Sequence, residues 1–317
     1  MTWDRVERLI GTSNLKRLSE AKVGVIGLGS GGGFVAQALA MSGVGKFVLV
    51  DDDVLEDVNI PRHVADRRHL GKPKVAALAD LIHQRNPKAA VEVRVGRIEE
   101  NFDALDDLDV LVAAVDGEPV KYIINQACLK RNLPATYAGV YERGEGGDVV
   151  IIRPYDGPCY ACWAAELREG IESSNPDEEL DYGMIGPEGT LEAEPGLWLH
   201  VVRVAGVQTD FVLKELLRGN NAEGEDDEYQ LPANTVVLAN NAIEIITGQM
   251  TPPHSAVWVQ IERDPNCLVC GDKIRAHETD QHKAINPITL DDLAGESGIE
   301  VEEELDENEN RHRAGGA

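Results

Sequence analysis

Ala21-Lys22-Val23-Gly24-Val25-Ile26-Gly27-Leu28-Gly29-Ser30-Gly31-Gly32-Gly33 is the stretch on which the fold turns. Ala21 to Ile26 is apolar enough for a buried strand, and the pattern from Phe34 to Ser42 is helical. Between them Gly27, Gly29 and Gly32 take the spacing G-x-G-x-x-G. Glycine there allows a tight turn and lets a phosphate approach the backbone at a helix N-terminus. A second strand, Lys46 to Val50, ends at Asp51, about 24 residues after Gly27, where a carboxylate can bond a ribose hydroxyl. Taken alone, this is a generic dinucleotide fingerprint, open to nicotinamide and flavin enzymes.

Outward from that unit the alternation continues. Residues 1–20 read as a short polar helix. Lys74 to Asn86 is a helix stopping before Pro87, Ala90 to Val95 and Val110 to Val115 are strands, Val120 to Arg131 is a helix, and Ala135 to Val140 is a strand. Strands alternating with helices of this length predict an α/β, Rossmann-like, doubly wound and mostly parallel sheet. In the second half Val149 to Arg153 reads as a strand, Glu166 to Pro195 as a long loop, and Leu197 to Leu217 as a helix. Gly219 to Gln230 is an acidic insertion, Ala233 to Thr247 a helix, and Ala256 to Glu262 a late strand. Two parts are expected: residues 1–275 as one domain, and 276–317 as an acidic tail, disordered or only locally helical, with Glu300 to Asn310 its most charged run.

The chain has 317 residues, 43% of them hydrophobic, and a formal net charge of −26. That acidity argues against nucleic acid as a partner of the whole surface, because phosphate binding needs a basic footprint. It fits solubility and a charged tail, with adaptation to high salt as the alternative. No stretch approaches the ~20 apolar residues of a membrane span, and Met1 to Gly11 lacks a signal-peptide core. A cytoplasmic protein without a membrane partner is the expectation, with its five cysteines reduced.

The segment after the second strand narrows the ligand. It reads Asp51-Asp52-Asp53-Val54-Leu55-Glu56-Asp57-Val58-Asn59-Ile60-Pro61-Arg62, followed by Gly71-Lys72-Pro73-Lys74. Asn59, Arg62 and Lys74 near a phosphate loop suit a triphosphate, the Arg as a planar fork and the Lys as a point charge. Both can stabilise the charge that develops as pyrophosphate leaves. A nicotinamide-dependent oxidoreductase has no need of them. Asp116, at the carboxyl end of a later strand, lies on the ligand-binding edge of an open α/β sheet and suits Mg²⁺. Singly, Asp53 and Asp57 could be solvated turn residues, Arg62 and Lys74 surface charges, and Asp116 a helix cap.

These motifs, in this order, resemble the ThiF/MoeB/HesA family, which shares an adenylation fold with ubiquitin-activating enzymes. The resemblance covers roughly residues 5 to 272. It implies that ATP is bound by Gly27, Gly29, Ser30, Gly32, Asp51, Asp53, Asn59, Arg62, Lys74 and Asp116. Asp51 would meet the ribose, Asn59, Arg62 and Lys74 the phosphates, and Asp116 would hold Mg²⁺. Arg62, Lys74 and Asp116 are thus the catalytic candidates, joined by Arg8, whose segment Arg8-Leu9-Ile10 resembles an N-terminal motif that reaches a neighbouring subunit's site in a homodimer. The implied reaction is adenylation of the C-terminal glycine of a small ubiquitin-like or sulfur-carrier protein ending in Gly-Gly. The alternatives are a tRNA-base dehydratase of the same fold and a non-catalytic scaffold for a ubiquitin-like protein. Two departures stand out. His63 follows Arg62 where the family often has Gln, and Gly117 follows Asp116 where it often has Asn.

Cys159-Tyr160-Ala161-Cys162 and Cys267-Leu268-Val269-Cys270 are two C-x-x-C pairs. Thiolates so spaced supply two ligands each, and two pairs complete a closed tetrahedral Zn²⁺ site. Roughly 105 residues separate the pairs, far outside a compact zinc finger, so the site would tie distant segments together. A redox role is the alternative, disfavoured because neither pair reads as the start of a thioredoxin-like helix. Both contexts resemble the zinc-binding members of the same family. Cys128, amid Ile124, Ala127 and Leu129, reads as a structural thiol. The segment Glu166 to Pro195 contains no cysteine, so the chain is expected to stop at the acyl-adenylate or to pass it to a thiol on another protein. That segment is also placed to guide a partner's extended tail.

Overall fold

The computed structural model describes residues 3–172, 196–219, 228–246 and 248–274. The parallel half comes first. Helix α1 (Asp4–Glu20) precedes strand β1 (Lys22–Ile26), followed by α2 (Ser30–Met41), β2 (Lys46–Asp51), α3 (Lys74–Arg85), β3 (Ala90–Val95), β4 (Val110–Ala113), α4 (Glu118–Arg131) and β5 (Ala135–Val140). Then follow β6 (Gly146–Ile152), α5 (Tyr160–Glu172), α6 (Trp198–Leu217), β7 (Thr235–Ala239), β8 (Ile243–Ile246), β9 (Gln249–Thr251) and β10 (Ala256–Val259).

Eight strands form one sheet in the order β3-β2-β1-β4-β5-β6-β7-β10. From β3 to β5 every pairing is parallel, and β5-β6, β6-β7 and β7-β10 are antiparallel. The strand order reverses at β1, with β2 on one side and β4 on the other. That switch point is where open α/β sheets hold ligands, outside the carboxyl ends of the strands.

Alternation along the strands divides the core between two faces. Val23, Val25, Phe47 and Leu49 pack with Leu18, Leu39, Leu78 and Val212 from α1, α2, α3 and α6. Ile26, Val48, Val50, Leu111 and Ala113 pack with Ile124 and Cys128 of α4 and with Tyr160 and Trp163 of α5. Burying both faces explains why β1, β2 and β4 read as continuous apolar runs.

Three elements differ from the sequence expectation. Ala233 to Thr247 is not a helix. Thr235–Ala239 is a strand between β6 and β10, and Ile243–Ile246 pairs with β9. The β-branched run Thr235-Val236-Val237 is stiff at χ1 and fits the pleat, and hydrogen-bond partners on both sides decide the matter. Glu166 does not begin a loop but lies in α5, and the rest of that expected loop from residue 173 lies outside the described residues. The acidic tail and most of the acidic insertion also lie outside them. Finally, α2 starts at Ser30, inside the glycine run, rather than at Phe34.

Candidate functional site

The glycines of the first turn serve different ends. Gly27 has φ of +83°, a conformation other residues adopt only with strain, and a Cβ there would stand 2.5 Å from the Ala114 carbonyl oxygen. Its N–H donates to Val50 O at 2.9 Å, and Ala114 N–H donates to Ile26 O at 2.8 Å. The loop is therefore wedged between the exits of β2 and β4. A Cβ on Gly32 would stand 1.9 Å from Gly27 O, so this glycine lets α2 fold back on the strand. At Gly29 the same test meets nothing within 4 Å. Its side is open, and Gly29 is the N-cap of α2 with no side chain bonding the first-turn N–H groups and no acidic residue in that turn. Orphan N–H groups plus the positive end of the helix dipole suit an anion. Ser30 contributes the first of those groups, and its carbonyl accepts from Trp198 Nε1 at 3.4 Å.

This asymmetry makes a prediction. Gly27→Ala and Gly32→Ala should each destabilise the protein by at least ~2 kcal/mol, since backbone must move to admit the methyl. Gly29→Ala should leave stability unchanged and weaken nucleotide binding. Chemical denaturation beside ATP titration of the three variants checks it, and a Gly29→Ala protein as unstable as the other two would count against the open cradle.

Asp51 closes the loop from the β2 side. Its Oδ2 accepts from Leu28 N–H at 2.6 Å and its Oδ1 from Asp53 N–H at 2.9 Å. Burial pushes its carboxyl up from the usual range, and those two N–H groups pull it back. Both oxygens thus already hold backbone, and a ribose hydroxyl would add to a carboxylate fixed in place.

The following segment forms a 3₁₀ turn, Asp57–Arg62. Asn59 is tied into it, its Oδ1 accepting from Glu56 N–H at 2.9 Å. Arg62 is exposed and makes no ion pair among the described residues. Asp57 pairs with Arg67 at 2.7 Å in the open, the solvated role allowed for it. Lys74 is not a surface charge. It is 7% exposed, opens α3, and its Nζ lies 2.5 Å from Asp53 Oδ2. A cation at a helix N-terminus opposes the dipole, and Asp53, 64% exposed on its side chain, offsets that cost.

Asp116 follows β4 by three residues and is exposed, two residues after Ala114, whose backbone lies against Gly27. It caps no helix, because the N-cap of α4 is Gly117 and no side-chain cap bond forms. Gly27 and Gly29 lie on the turn after β1, Ser30 and Gly32 in the first turn of α2, Asp51 at the end of β2 with Asp53 just beyond, Asn59 and Arg62 on the 3₁₀ turn, Lys74 at the start of α3 and Asp116 after β4, with Asp51 bonded to the turn through Leu28 and Lys74 to Asp53. Arg8 does not join them. It lies on α1 before the kink at Gly11 and pairs with Asp4 one turn away.

Beside this edge is a polar group with no sign in the sequence. Lys121 Nζ lies 3.0 Å from Glu118 Oε1, and the Tyr160 hydroxyl donates to the same carboxylate at 3.1 Å. Asp148, buried on β6, is pushed up to about 6 by burial, with Lys121 pulling the other way. Nothing in the periodicity of α4 singled out Glu118 or Lys121, because a charged residue on a helix usually faces solvent.

The four cysteines do come together. Cys159–Cys162 and Cys159–Cys267 are 3.8 Å apart between sulfurs and Cys162–Cys270 3.5 Å, and all four lie within 4.8 Å of one another. Ligands 2.3 Å from a central Zn²⁺ stand about 3.8 Å apart at the corners of a tetrahedron. The set fits zinc, and none of the sulfurs is in a disulfide. The second pair is shaped for the purpose. Val269 N–H donates to Cys267 Sγ at 3.4 Å, and a Cβ on Gly271 would strike Cys267 O at 2.4 Å. The first pair does open a helix, α5. The four-sulfur cluster, rather than the absence of a helix, sets the redox reading aside. Cys128 is buried and its thiol is pushed up to about 12 by burial, which leaves it unreactive.

Residues 4–285 match the ThiF family. The SAMP-activating enzyme E1 of Haloferax volcanii is 33% identical over 266 residues, 83% of this chain and 85% of that protein. Ubiquitin-like modifier-activating enzyme 5 of Drosophila melanogaster is 28% identical over 278 residues, and the match spans 83% of this chain but 62% of that protein. Among solved structures, E. coli MccB with ATP superposes with a TM-score of 0.58 at 20% identity, covering 81% of this chain and 69% of that one. MccB with succinimide gives 0.63 at 19% identity, covering 86% and 74%. At these identities the structures attest the fold.

Proposed function

The chain belongs to the ThiF family and is an enzyme of its activating, adenylating type, and from that premise we propose that it adenylates the C-terminal glycine of a small ubiquitin-like or sulfur-carrier protein. One observation carries the nucleotide half of this reading. The N-terminus of α2 is uncapped and Gly29 there faces open space, and its loop is bonded to Asp51 of β2 and to His63 at the end of the Asn59–Arg62 turn and packs on the Ala114 backbone two residues before Asp116. The partner half rests on the relatives, which are named as activating enzymes for SAMP and for a ubiquitin-like modifier.

In the reaction a carboxylate oxygen of the carrier attacks the α-phosphorus of ATP, and the bond to pyrophosphate breaks. A carboxylate is already nucleophilic, so no general base is required. The chain supplies position and charge. The α2 N–H groups and Ser30 cradle the phosphates, Asp51 holds the ribose, and Asn59, Arg62 and Lys74 take up the charge of the departing pyrophosphate. Asp116 would hold Mg²⁺, which neutralises phosphate charge when bound. Cys159, Cys162, Cys267 and Cys270 would hold Zn²⁺, which supplies a structural clamp and no chemistry. Arg8 acts in the neighbouring site of a homodimer, consistent with its exposure and its lack of a bond to the loop of its own chain. The adenylate is the end product or passes to a thiol on another protein, since Cys128 is buried and the other four cysteines form the clamp.

ATP–pyrophosphate exchange with candidate Gly-Gly-terminated carriers tests the proposal. Exchange that depends on the carrier is expected. Absence of exchange with every carrier, beside turnover of tRNA or NADH, would overturn it.

A further inference from the structure

His63 departs from the family pattern, and the structure gives it a definite task. The ring is 7% exposed. Its Nε2 lies 2.8 Å from Leu28 O and its Nδ1 2.9 Å from the Ala65 N–H. A carbonyl only accepts, so Nε2 must carry a proton. A backbone N–H only donates, so Nδ1 must be bare. Of the ring's protonation states, the neutral Nε2–H tautomer alone satisfies both. Leu28 lies within the glycine loop, and its own N–H is held by Asp51. Gly33 makes the room, for a Cβ there would stand 3.3 Å from Nε2. The ring thus bolts the end of the Asn59–Arg62 turn to the loop at α2.

We propose that His63 is a positioning residue that holds the Asn59–Arg62 turn against the glycine loop, and that its protonation unfastens the turn and weakens nucleotide binding. The inference rests on the reading that this loop binds ATP. A second proton on the ring would sit on Nδ1, facing the Ala65 N–H, and one of the two bonds would be replaced by a clash of donors.

The surroundings set the direction of the pH response. Burial disfavours the imidazolium most, Lys74 on α3 and His69 on the following turn add to that, and Asp51 at the end of β2 opposes it along with the bond to Leu28 O. The folded ring therefore holds its proton less firmly than the unfolded chain, whose histidine titrates near ~6.5. The bolted arrangement is complete above that pH and is lost as pH falls through the lower folded value.

ATP affinity of the full chain, measured calorimetrically from pH 8 to pH 5 with circular dichroism at each pH, tests this on wild type, His63→Ala and His63→Gln. Wild-type affinity should hold at neutral pH and then fall by about tenfold per pH unit on the acid side, the slope of one linked proton. His63→Ala should bind about tenfold more weakly at pH 8 and lack that limb. Gln carries a donor and an acceptor and does not titrate, so His63→Gln should recover the neutral affinity and also lack the limb. The nucleotide's own titration is common to all three proteins. An identical acid limb in all three overturns the inference. Nitrogen-15 NMR of the wild-type imidazoles needs no nucleotide and no variant. The Nε2–H tautomer at pH 7.5 is expected, and a Nδ1–H or charged ring overturns the positioning role even if ATP binds. The expected tautomer without ATP binding would instead discard the nucleotide reading and leave the bolt in place.

Discussion

Cys162→Ser is expected to abolish zinc binding by the four-cysteine cluster and to lower the unfolding midpoint by roughly 10 °C. Cys162 belongs to α5 and Cys270 to a turn after β10, and their sulfurs are 3.5 Å apart. A clamp between them closes a loop of about 100 residues, worth about 4–5 kcal/mol by the loop-closure argument used for disulfides. For a domain of this size each kcal/mol moves the midpoint by about 2–4 °C. Serine keeps the shape but is a poor ligand, and the three remaining thiols are crowded together without a partner cation. Cys128→Ser supplies the control, since that thiol is outside the cluster and zinc content should not change. Zinc stoichiometry measured beside thermal melting decides the point. A Cys162→Ser protein with one zinc per chain and an unshifted midpoint would remove the clamp from the account.

Lys74→Ala is expected to reduce ATP–pyrophosphate exchange by roughly 10²–10³, the usual loss for removing one preorganised charge at a developing anion. The same change should hardly touch stability. The pairing carboxylate, Asp53, is largely exposed, so water solvates it once the lysine is gone and no uncompensated charge is left buried. Removing a cation from the first turn of α3 even relieves an unfavourable dipole contact. The contrast matters because Lys74 is buried, and a buried lysine kept for structure would show the opposite split. Melting beside exchange kinetics distinguishes them. A strong loss of stability with exchange intact would return Lys74 to the fold.

The parallel half was legible because its signals are local. Each of β1, β2 and β4 is a run of apolar residues long enough to be buried on both faces, and each helix between them has its own periodicity. The antiparallel half was less legible. Thr235–Ala239 becomes a strand through its neighbours β6 and β10, which come from far along the chain, and propensity over fifteen residues does not register them. The helix at Tyr160–Glu172 was hidden in part by its Glu and Gly content, which reads like a loop.

The site divides in the same way. Gly27, Gly29 and Gly32 could be recognised as a set, because a turn that meets a phosphate requires glycine whatever surrounds it. That Gly27 and Gly32 answer to Ala114 and to the loop's own backbone, while Gly29 faces open space, depends on atoms brought from β4. Likewise the spacing of each C-x-x-C pair marked it as half of a tetrahedron, and folding brought the halves to sulfur distances of 3.5–3.8 Å.

The sequence by itself therefore determined the α/β class, the glycine turn between β1 and α2, and the identity of the four thiols. All of these depend on residue type within a few positions, where covalent geometry fixes what can meet. Only the tertiary structure decided that Lys74 is buried against Asp53 and that His63 fastens the Asn59–Arg62 turn to Leu28. Those facts depend on burial and on partners tens of residues away, and the interior's low dielectric and close packing, which set their energies, exist only once the chain has folded.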